Sequence, residues 1–73
     1  MGRRLPFSNR VRELREECGS MSQSDLGRAI GVTRQTIAAI EQGRYSPSLE
    51  SAFRIAKVFG VDVNDVFYWV GPD

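Results

Sequence analysis

The spacing of two short amphipathic segments near the middle of the chain constrains its fold more than any other feature. Apolar residues recur at helical intervals in Gln23–Ile30 and again in Thr33–Gln42, and a three-residue turn, Gly31-Val32-Thr33, joins the two segments. Glycine at the start of the turn supplies the left-handed backbone conformation that a Cβ would oppose. The spacing therefore predicts two short helices that pack closely against each other across a tight turn.

The second of these helices has an apolar back and a polar front. Val32, Ile37 and Ile40 are placed to bury the back, and Gly27 is small where the first helix must approach the second. The outward side then carries Arg34, Gln35, Ala38 and Ala39. This arrangement is typical of the helix-turn-helix unit, whose second helix presents its N-terminal residues to base edges in the major groove.

Three further helices are predicted around this unit. Ser8 or Asn9 is placed to cap a first helix, in which Val11, Leu14 and Cys18 face inward. Ser48 caps a fourth helix that Gly60 ends, and its predicted inner face is Leu49, Ala52, Phe53, Ala56 and Phe59. Asp62 caps a fifth helix from Val63 to about Phe67. No strand is predicted, although residues 66–70 are rich in β-prone side chains.

The composition limits the classes of function. With 73 residues the chain is expected to form a single domain, with a flexible N-terminus over 1–7 and a C-terminal tail over 68–73. With one cysteine and no histidine, the chain cannot form an intrachain disulfide and lacks the ligands of a zinc site. Cys18 is expected to be a small buried apolar residue. No catalytic constellation is evident, so we expect no enzyme, metal, cofactor or small-molecule ligand. No membrane span or signal peptide is found, which favours a cytoplasmic protein.

Positive charge is unevenly distributed. The net charge is only +1, yet five of the ten basic residues lie within the first fifteen positions. Arg3 and Arg4 belong to this group, and they are interpreted either as a frayed terminus or as a flexible basic arm on DNA. Nine of the ten basic residues are arginine, whose planar guanidinium suits phosphate and guanine edges.

Residues 22–49, SQSDLGRAIGVTRQTIAAIEQGRYSPSL, resemble the phage repressor and Cro type of helix-turn-helix, the XRE-like regulators. The resemblance extends from about Asn9 to Phe67. It implies an all-α domain of five helices that binds double-stranded operator DNA, usually as a homodimer on a two-fold site. The chain departs from the common pattern at GSMS, residues 19–22, which is one residue longer, and at Gly27, where alanine is usual.

The resemblance also implies roles for particular residues. Base reading would fall to Arg34, Gln35 and Ala39. Contacts with the DNA backbone would fall to Gln23, Thr33, Thr36, Gly43 and Arg44, through backbone amides as well as side chains in the Gly43–Arg44 loop. Gln23 would also brace the recognition helix. Arg15 and Glu41 match a pair that commonly forms a largely buried salt bridge between the first and third helices.

Four consecutive large apolar residues near the C-terminus have three interpretations. They are Phe67, Tyr68, Trp69 and Val70, and one turn of helix cannot direct all of them inward. They are interpreted as a cover over the edge of the core, as a homodimer interface, or as a site for another partner. Tyrosine and tryptophan are enriched at interfaces, which favours the dimer.

The leading functional prediction is a transcriptional regulator that represses by occupying an operator. An antitoxin-type autoregulator and a protein-interaction module on the same fold are the alternatives. An acidic or apolar recognition face would favour the protein-interaction module, and Arg34-Gln35-Thr36 is neither.

Overall fold

A computed structural model describes residues 5–72, so Arg3 and Arg4 lie outside the described part of the chain. The elements are β1 (Phe7–Asn9), α1 (Val11–Glu17), α2 (Gln23–Ile30), α3 (Arg34–Glu41), α4 (Leu49–Phe59), α5 (Val63–Val66) and β2 (Phe67–Trp69). The five predicted helices are present. Among the described residues, no helix is long and apolar enough to cross a membrane.

The turn between α2 and α3 follows the local chemistry of its residues. Ser22 and Asp25 form a capping box at the start of α2, and Gly31 ends that helix with a left-handed φ of 84°. Thr33 then caps α3 by accepting a hydrogen bond from the Thr36 amide. A Cβ at Gly27 would lie 2.7 Å from the Val32 carbonyl oxygen, so glycine allows α2 to approach the turn this closely.

The core lies where all five helices meet. Its buried members are Val11, Leu14, Leu26, Ile30, Ile37, Ile40, Ile55, Ala56 and Val66. The predicted inner face of α4 is wrong in part, because Leu49 and Phe53 are exposed while Ile55, which was not predicted, is buried. Ala52, Ile55 and Ala56 share one side of α4, and Leu49 and Phe53 lie on the neighbouring side of the same helix.

Two short strands were not predicted from the sequence. β1 pairs with β2 in an antiparallel register that sets Phe7 opposite Trp69 and Asn9 opposite Phe67. The Pro6 carbonyl also accepts hydrogen bonds from the amides of Val70 and Gly71. Residues 6 and 7 are therefore held by the C-terminal segment instead of belonging to a flexible terminus. Each strand has only three residues, and its partner lies about sixty positions away, so no local pattern indicates the pairing.

Cys18 is exposed, which contradicts the prediction of a buried apolar residue. The helix ends at Glu17, and Cys18 has the non-helical angles φ −95° and ψ 54°. The helical periodicity that predicts an inward side chain at position 18 therefore does not apply, because the helix ends one residue before Cys18. The longer turn is nevertheless tied to α1, because the Met21 amide donates to the Arg15 carbonyl at 3.0 Å.

Candidate nucleic-acid interface

The first turn of α3 forms a polar, outward-facing surface. Arg34 and Gln35 are exposed there, and Thr36 is half-buried beside them. The Thr33 hydroxyl lies 3.1 Å from the Thr36 amide, from which it accepts a hydrogen bond, and 3.0 Å from the Thr36 hydroxyl. No acidic residue occupies this turn, so the positive end of the helix dipole is not neutralised by a carboxylate of α3.

The opposite side of α3 is anchored in the core. Ile37 is fully buried and Ile40 is 2% exposed, while Ala38 and Ala39 are half-buried at the edge of the outward side. The carbonyl of Ile40 also accepts a hydrogen bond from the Asn9 side chain at 3.0 Å. The helix is therefore held along its whole back, which fixes the direction in which Arg34 and Gln35 point.

Arg15 and Glu41 form a two-pronged ion pair behind the interface. The Arg15 Nε donates to Glu41 Oε2 at 2.6 Å and its Nη2 donates to Glu41 Oε1 at 3.1 Å. The two side chains are only 12% and 8% exposed. A third arginine nitrogen, Nη1, donates to the Met21 carbonyl at 2.8 Å, so the same guanidinium joins α1, the first turn and α3. The hydrogen bond and charge of Glu41 raise the pKa of Arg15 above its ordinary value.

Gln23, for which the resemblance implies a bracing role, belongs to this network. Its Nε2 donates to Glu41 Oε1 at 3.0 Å. One N–H of the amide is used in this bond, and an amide nitrogen carries a second N–H. The position predicted to touch a DNA phosphate is therefore oriented by the last residue of α3. Two residues eighteen positions apart on different helices leave no periodic signal that could have revealed this contact.

The loop after α3 changes one predicted detail of the interface. Gly43 takes a left-handed φ of 73°, and its amide donates to the Ile40 carbonyl at 3.0 Å. The Arg44 amide donates to the Ala39 carbonyl, also at 3.0 Å. Both predicted backbone donors therefore already serve as caps that end α3. At these two positions the exposed side chain of Arg44 remains the candidate for the predicted phosphate contact.

The ion pairs distinguish two arginines from the others. Arg10, Arg12, Arg15, Arg28 and Arg54 each have a carboxylate partner within 4.0 Å. Within residues 5–72, the arginines that lack such a partner are Arg34 and Arg44. They lie at the two ends of α3, and both are exposed. The uncompensated arginine charge is therefore concentrated along the predicted recognition helix.

The described residues offer no arrangement for metal chemistry. In the range 5–72 no group of three or more cysteine, aspartate or glutamate side chains is placed to hold a metal ion. The geometry of this surface, an exposed helix start with Arg34 in its first turn and Arg44 beyond the other end of the helix, suits a polyanion better than a small ligand.

Comparisons with known proteins agree with this geometry. A family model described as helix-turn-helix matches residues 11–66. An uncharacterized HTH-type transcriptional regulator of Methanocaldococcus jannaschii is 54% identical over 50 residues, which cover 68% of this chain and 76% of that relative. YgzD, an uncharacterized HTH-type transcriptional regulator of Bacillus subtilis, is 53% identical over 62 residues, covering 85% of this chain and 92% of YgzD.

A solved structure shares the fold. The P22 c2 repressor, determined in complex with a synthetic operator, superposes on this chain with a TM-score of 0.71 at 24% sequence identity. The match covers 75% of this chain and 82% of the repressor chain. The order and packing of the five helices are therefore those of repressor-type domains.

Proposed function

The chain belongs to the helix-turn-helix family of DNA-binding transcriptional regulators, and on that premise we propose that it represses transcription by occupying an operator whose major groove is read by α3. The observation that supports this most directly is the pair of exposed arginines without carboxylate partners, Arg34 and Arg44, at the two ends of that helix.

Base reading is proposed for the exposed first turn of α3. Gln35 suits a two-pronged contact with adenine, and Arg34 suits guanine or a phosphate. Each contact with a base is worth about 1–3 kcal/mol of discrimination between bases. Ala39 is half-buried farther along the helix, where its methyl group suits contact with the methyl group of thymine.

Backbone contacts are proposed for residues that surround this turn. Gln23, held by Glu41, offers its second amide N–H to a phosphate. The hydroxyls of Thr33 and Thr36 share a hydrogen bond, which uses one of their two O–H groups. The other O–H group is the one that can donate to the DNA backbone. At the other end of α3, the Arg44 side chain supplies the charge, and Gly43 supplies the turn that brings it there. Such contacts fix orientation and carry no sequence information themselves.

A homodimer is proposed because one unit covers only a half-site. The molecule measures 33 × 25 × 21 Å. Two copies in contact end to end along the 33 Å axis would place their centres at a distance close to the ~34 Å between half-sites one helical turn apart. The prediction that residues 67–70 form the dimer contact stays a prediction. Phe67 packs against the core and meets Phe7 edge to face, while Tyr68, Trp69 and Val70 are exposed.

The alternatives differ in what the outward side of α3 binds or in what the DNA binding regulates. A protein-interaction module is disfavoured by the uncompensated arginine charge, which suits DNA. An antitoxin-type autoregulator would use the same surface for the same DNA chemistry, so it differs in the genes it controls. Since the proposed partner is operator DNA, we propose a cytoplasmic location for the protein.

Selection from a randomised DNA duplex pool tests the proposal. The expected result is a recovered motif made of two related half-sites, with binding that weakens steeply as salt concentration rises. Arg44→Ala should weaken binding to every duplex and flatten the salt dependence by about one phosphate contact. Arg54→Ala is the matched control, because Arg54 is already paired with Glu50 on α4. Failure to enrich any sequence would overturn the proposal.

A further inference from the structure

A polar depression of about 430 Å³ lies where α1, α2 and the C-terminal part of α3 meet. The exposed and half-buried residues that line it are Arg12, Glu16, Gln23, Ala38 and Gln42. The nearly buried Arg15–Glu41 pair forms its floor. Ala38 lies on the outward side of α3, one turn after Arg34 and one turn before Gln42. The depression therefore continues the proposed recognition surface towards α1.

Arg12 enters this depression with the longest ion pair found in residues 5–72. Its Nε lies 3.3 Å from Glu16 Oε2, and the other four pairs in this range are shorter. The two side chains are 76% and 60% exposed. Arginine precedes glutamate along α1, which is the less favourable order for a pair four positions apart. The Arg12 guanidinium can therefore leave Glu16 at a small cost in free energy.

Side-chain N–H donors from three elements border the depression. The bond to Glu16 uses the Arg12 Nε and leaves both Nη nitrogens without an acceptor among residues 5–72. The Gln23 Nε2 donates one N–H to Glu41 and carries a second one. Gln42, just after α3, is exposed and brings a further amide. Guanidinium and amide N–H groups are donors that proteins direct at phosphate oxygens, so this set suits a phosphate group.

The two carboxylates of the depression differ in how firmly they are held. Glu41 is nearly buried and accepts hydrogen bonds from Arg15 and Gln23, so its charge is compensated in place. Glu16 is more than half exposed, and its partner is Arg12. Its side chain can rotate into solvent once Arg12 turns to another anion. Glu16 is therefore a competitor that an incoming phosphate displaces from Arg12.

We propose that Arg12 is a further contact with the DNA backbone: it exchanges Glu16 for a phosphate that lies in the depression beside Gln23 and Gln42. The proposal rests on the function proposed above, because the phosphate belongs to the duplex whose major groove α3 reads. The helix α3 is roughly 12 Å long, so a duplex in contact with Arg34 passes next to the depression. The two free Nη groups of Arg12 suit a two-pronged contact with a phosphate. The helix α1 thereby joins α2 and α3 in holding the domain on DNA.

The salt dependence of DNA binding tests the contact. Arg12→Ala should weaken binding about tenfold at low salt, equally for the selected operator duplex and for a duplex of random sequence. The slope of log affinity against log salt concentration should fall by about one phosphate contact. Arg10→Ala is the matched control and should keep the wild-type slope. Arg10 is also paired with a glutamate of α1, Glu13, but it lies towards Asp65 of α5 and does not line the depression.

A gain of binding tests the competition between Glu16 and the phosphate. Glu16→Gln should tighten binding to both duplexes at least about twofold, because the neutral amide no longer holds Arg12. In the Arg12→Ala background the same change should have a smaller effect, since no arginine is left to release. Glu13→Gln, which frees Arg10, is the matched control and should leave the affinity unchanged. An ion pair with only a structural role in α1 would give no tighter binding when it is broken.

The outcomes separate this proposal from the proposed function. All variants are compared at equal folded fraction, which far-UV circular dichroism measures. A wild-type slope in Arg12→Ala, or equal effects of Glu16→Gln in the two backgrounds, would overturn the Arg12 contact and leave operator reading in place. A wild type that binds the random duplex but prefers no sequence would overturn operator reading, and the same comparisons on that duplex still decide the Arg12 contact. A wild type that binds no duplex would overturn both.

Discussion

Glu41, the last residue of α3, accepts hydrogen bonds from Arg15 of α1 and from Gln23 of α2 at the same time. Its side chain is 8% exposed, and its Oε2 lies 2.6 Å from Arg15 Nε. A nearly buried carboxylate with three donors couples the orientation of the recognition helix to the two helices that precede it. The stability of the domain and the placement of Gln23 therefore depend on the same group.

Removal of Arg15 should destabilise the fold strongly. Arg15→Ala leaves the Glu41 carboxylate nearly buried with its charge uncompensated, and we expect a loss of about 3 kcal/mol in the free energy of unfolding. Arg12→Ala on the same helix is the control, because the Arg12–Glu16 pair is exposed and should contribute less than about 1 kcal/mol. Urea unfolding followed by circular dichroism measures both. Equal losses in the two variants would contradict the role given to the buried pair.

Replacement of Glu41 by glutamine should weaken DNA binding beyond its effect on stability. The neutral amide holds Arg15 less tightly and no longer offers a carboxylate to the Gln23 N–H. At a temperature where the Glu41→Gln protein is fully folded, its binding free energy for DNA should weaken by about the value of one charge-assisted hydrogen bond, 1.5–3 kcal/mol. Gln23→Ala in the Glu41→Gln background should then cost less than in the wild type. Additive effects of the two changes would show that they act separately.

Gln35→Ala should change which sequences are preferred more than how tightly DNA is held. An exposed glutamine in the first turn of α3 is proposed to read a base edge, so its loss should relax the preference at one position of each half-site by about 1–3 kcal/mol. Competition between duplexes that differ at one base measures this. The salt dependence of binding should stay that of the wild type, since no phosphate contact is removed.

Thr33 and Ser48 provide a matched pair of helix caps. Each hydroxyl accepts a hydrogen bond from the amide three residues later, at 3.1 Å for Thr33 and 3.0 Å for Ser48. Thr33→Ala and Ser48→Ala should each cost about 1 kcal/mol of stability. Only Thr33→Ala should also weaken binding to DNA, because Thr33 begins the recognition helix. Titration of a labelled operator duplex with both variants, at equal folded fraction, separates a cap from a contact.

Asp25 should contribute to stability in a manner that depends on pH. The hydrogen bond from the Ser22 amide lowers the pKa of Asp25 below its ordinary value of 3.8. A carboxyl whose pKa is lowered by folding stabilises the protein above pH 3.8, and this contribution is lost as the pH falls through the lower folded-state value. Asp25→Asn should therefore melt below the wild type at pH 7, and the two melting temperatures should approach each other as the pH falls below 3.8 and meet below the lower folded-state pKa. A constant difference across this range would contradict the assignment.

Local chemistry accounts for most of what could be predicted about the fold. The capping box of Ser22 and Asp25, the left-handed Gly31 and the Thr33 cap are interactions among residues at most four positions apart. Such contacts leave a signal in the order of the residues themselves. The same reasoning failed at Cys18 and at Leu49 and Phe53, because an apolar residue at helical spacing can face solvent when the helix ends early or is rotated by its packing.

The sequence alone determined the helix-turn-helix unit, its boundaries and the residues on the outward side of α3, because caps, turns and helical periodicity act over short stretches of chain. Only the tertiary structure decided that Glu41 is the residue that holds Gln23, that β1 pairs with β2, and that Leu49 and Phe53 are exposed. These features join residues far apart in the chain. Their energies depend on how whole helices dock, and a linear pattern does not contain that information.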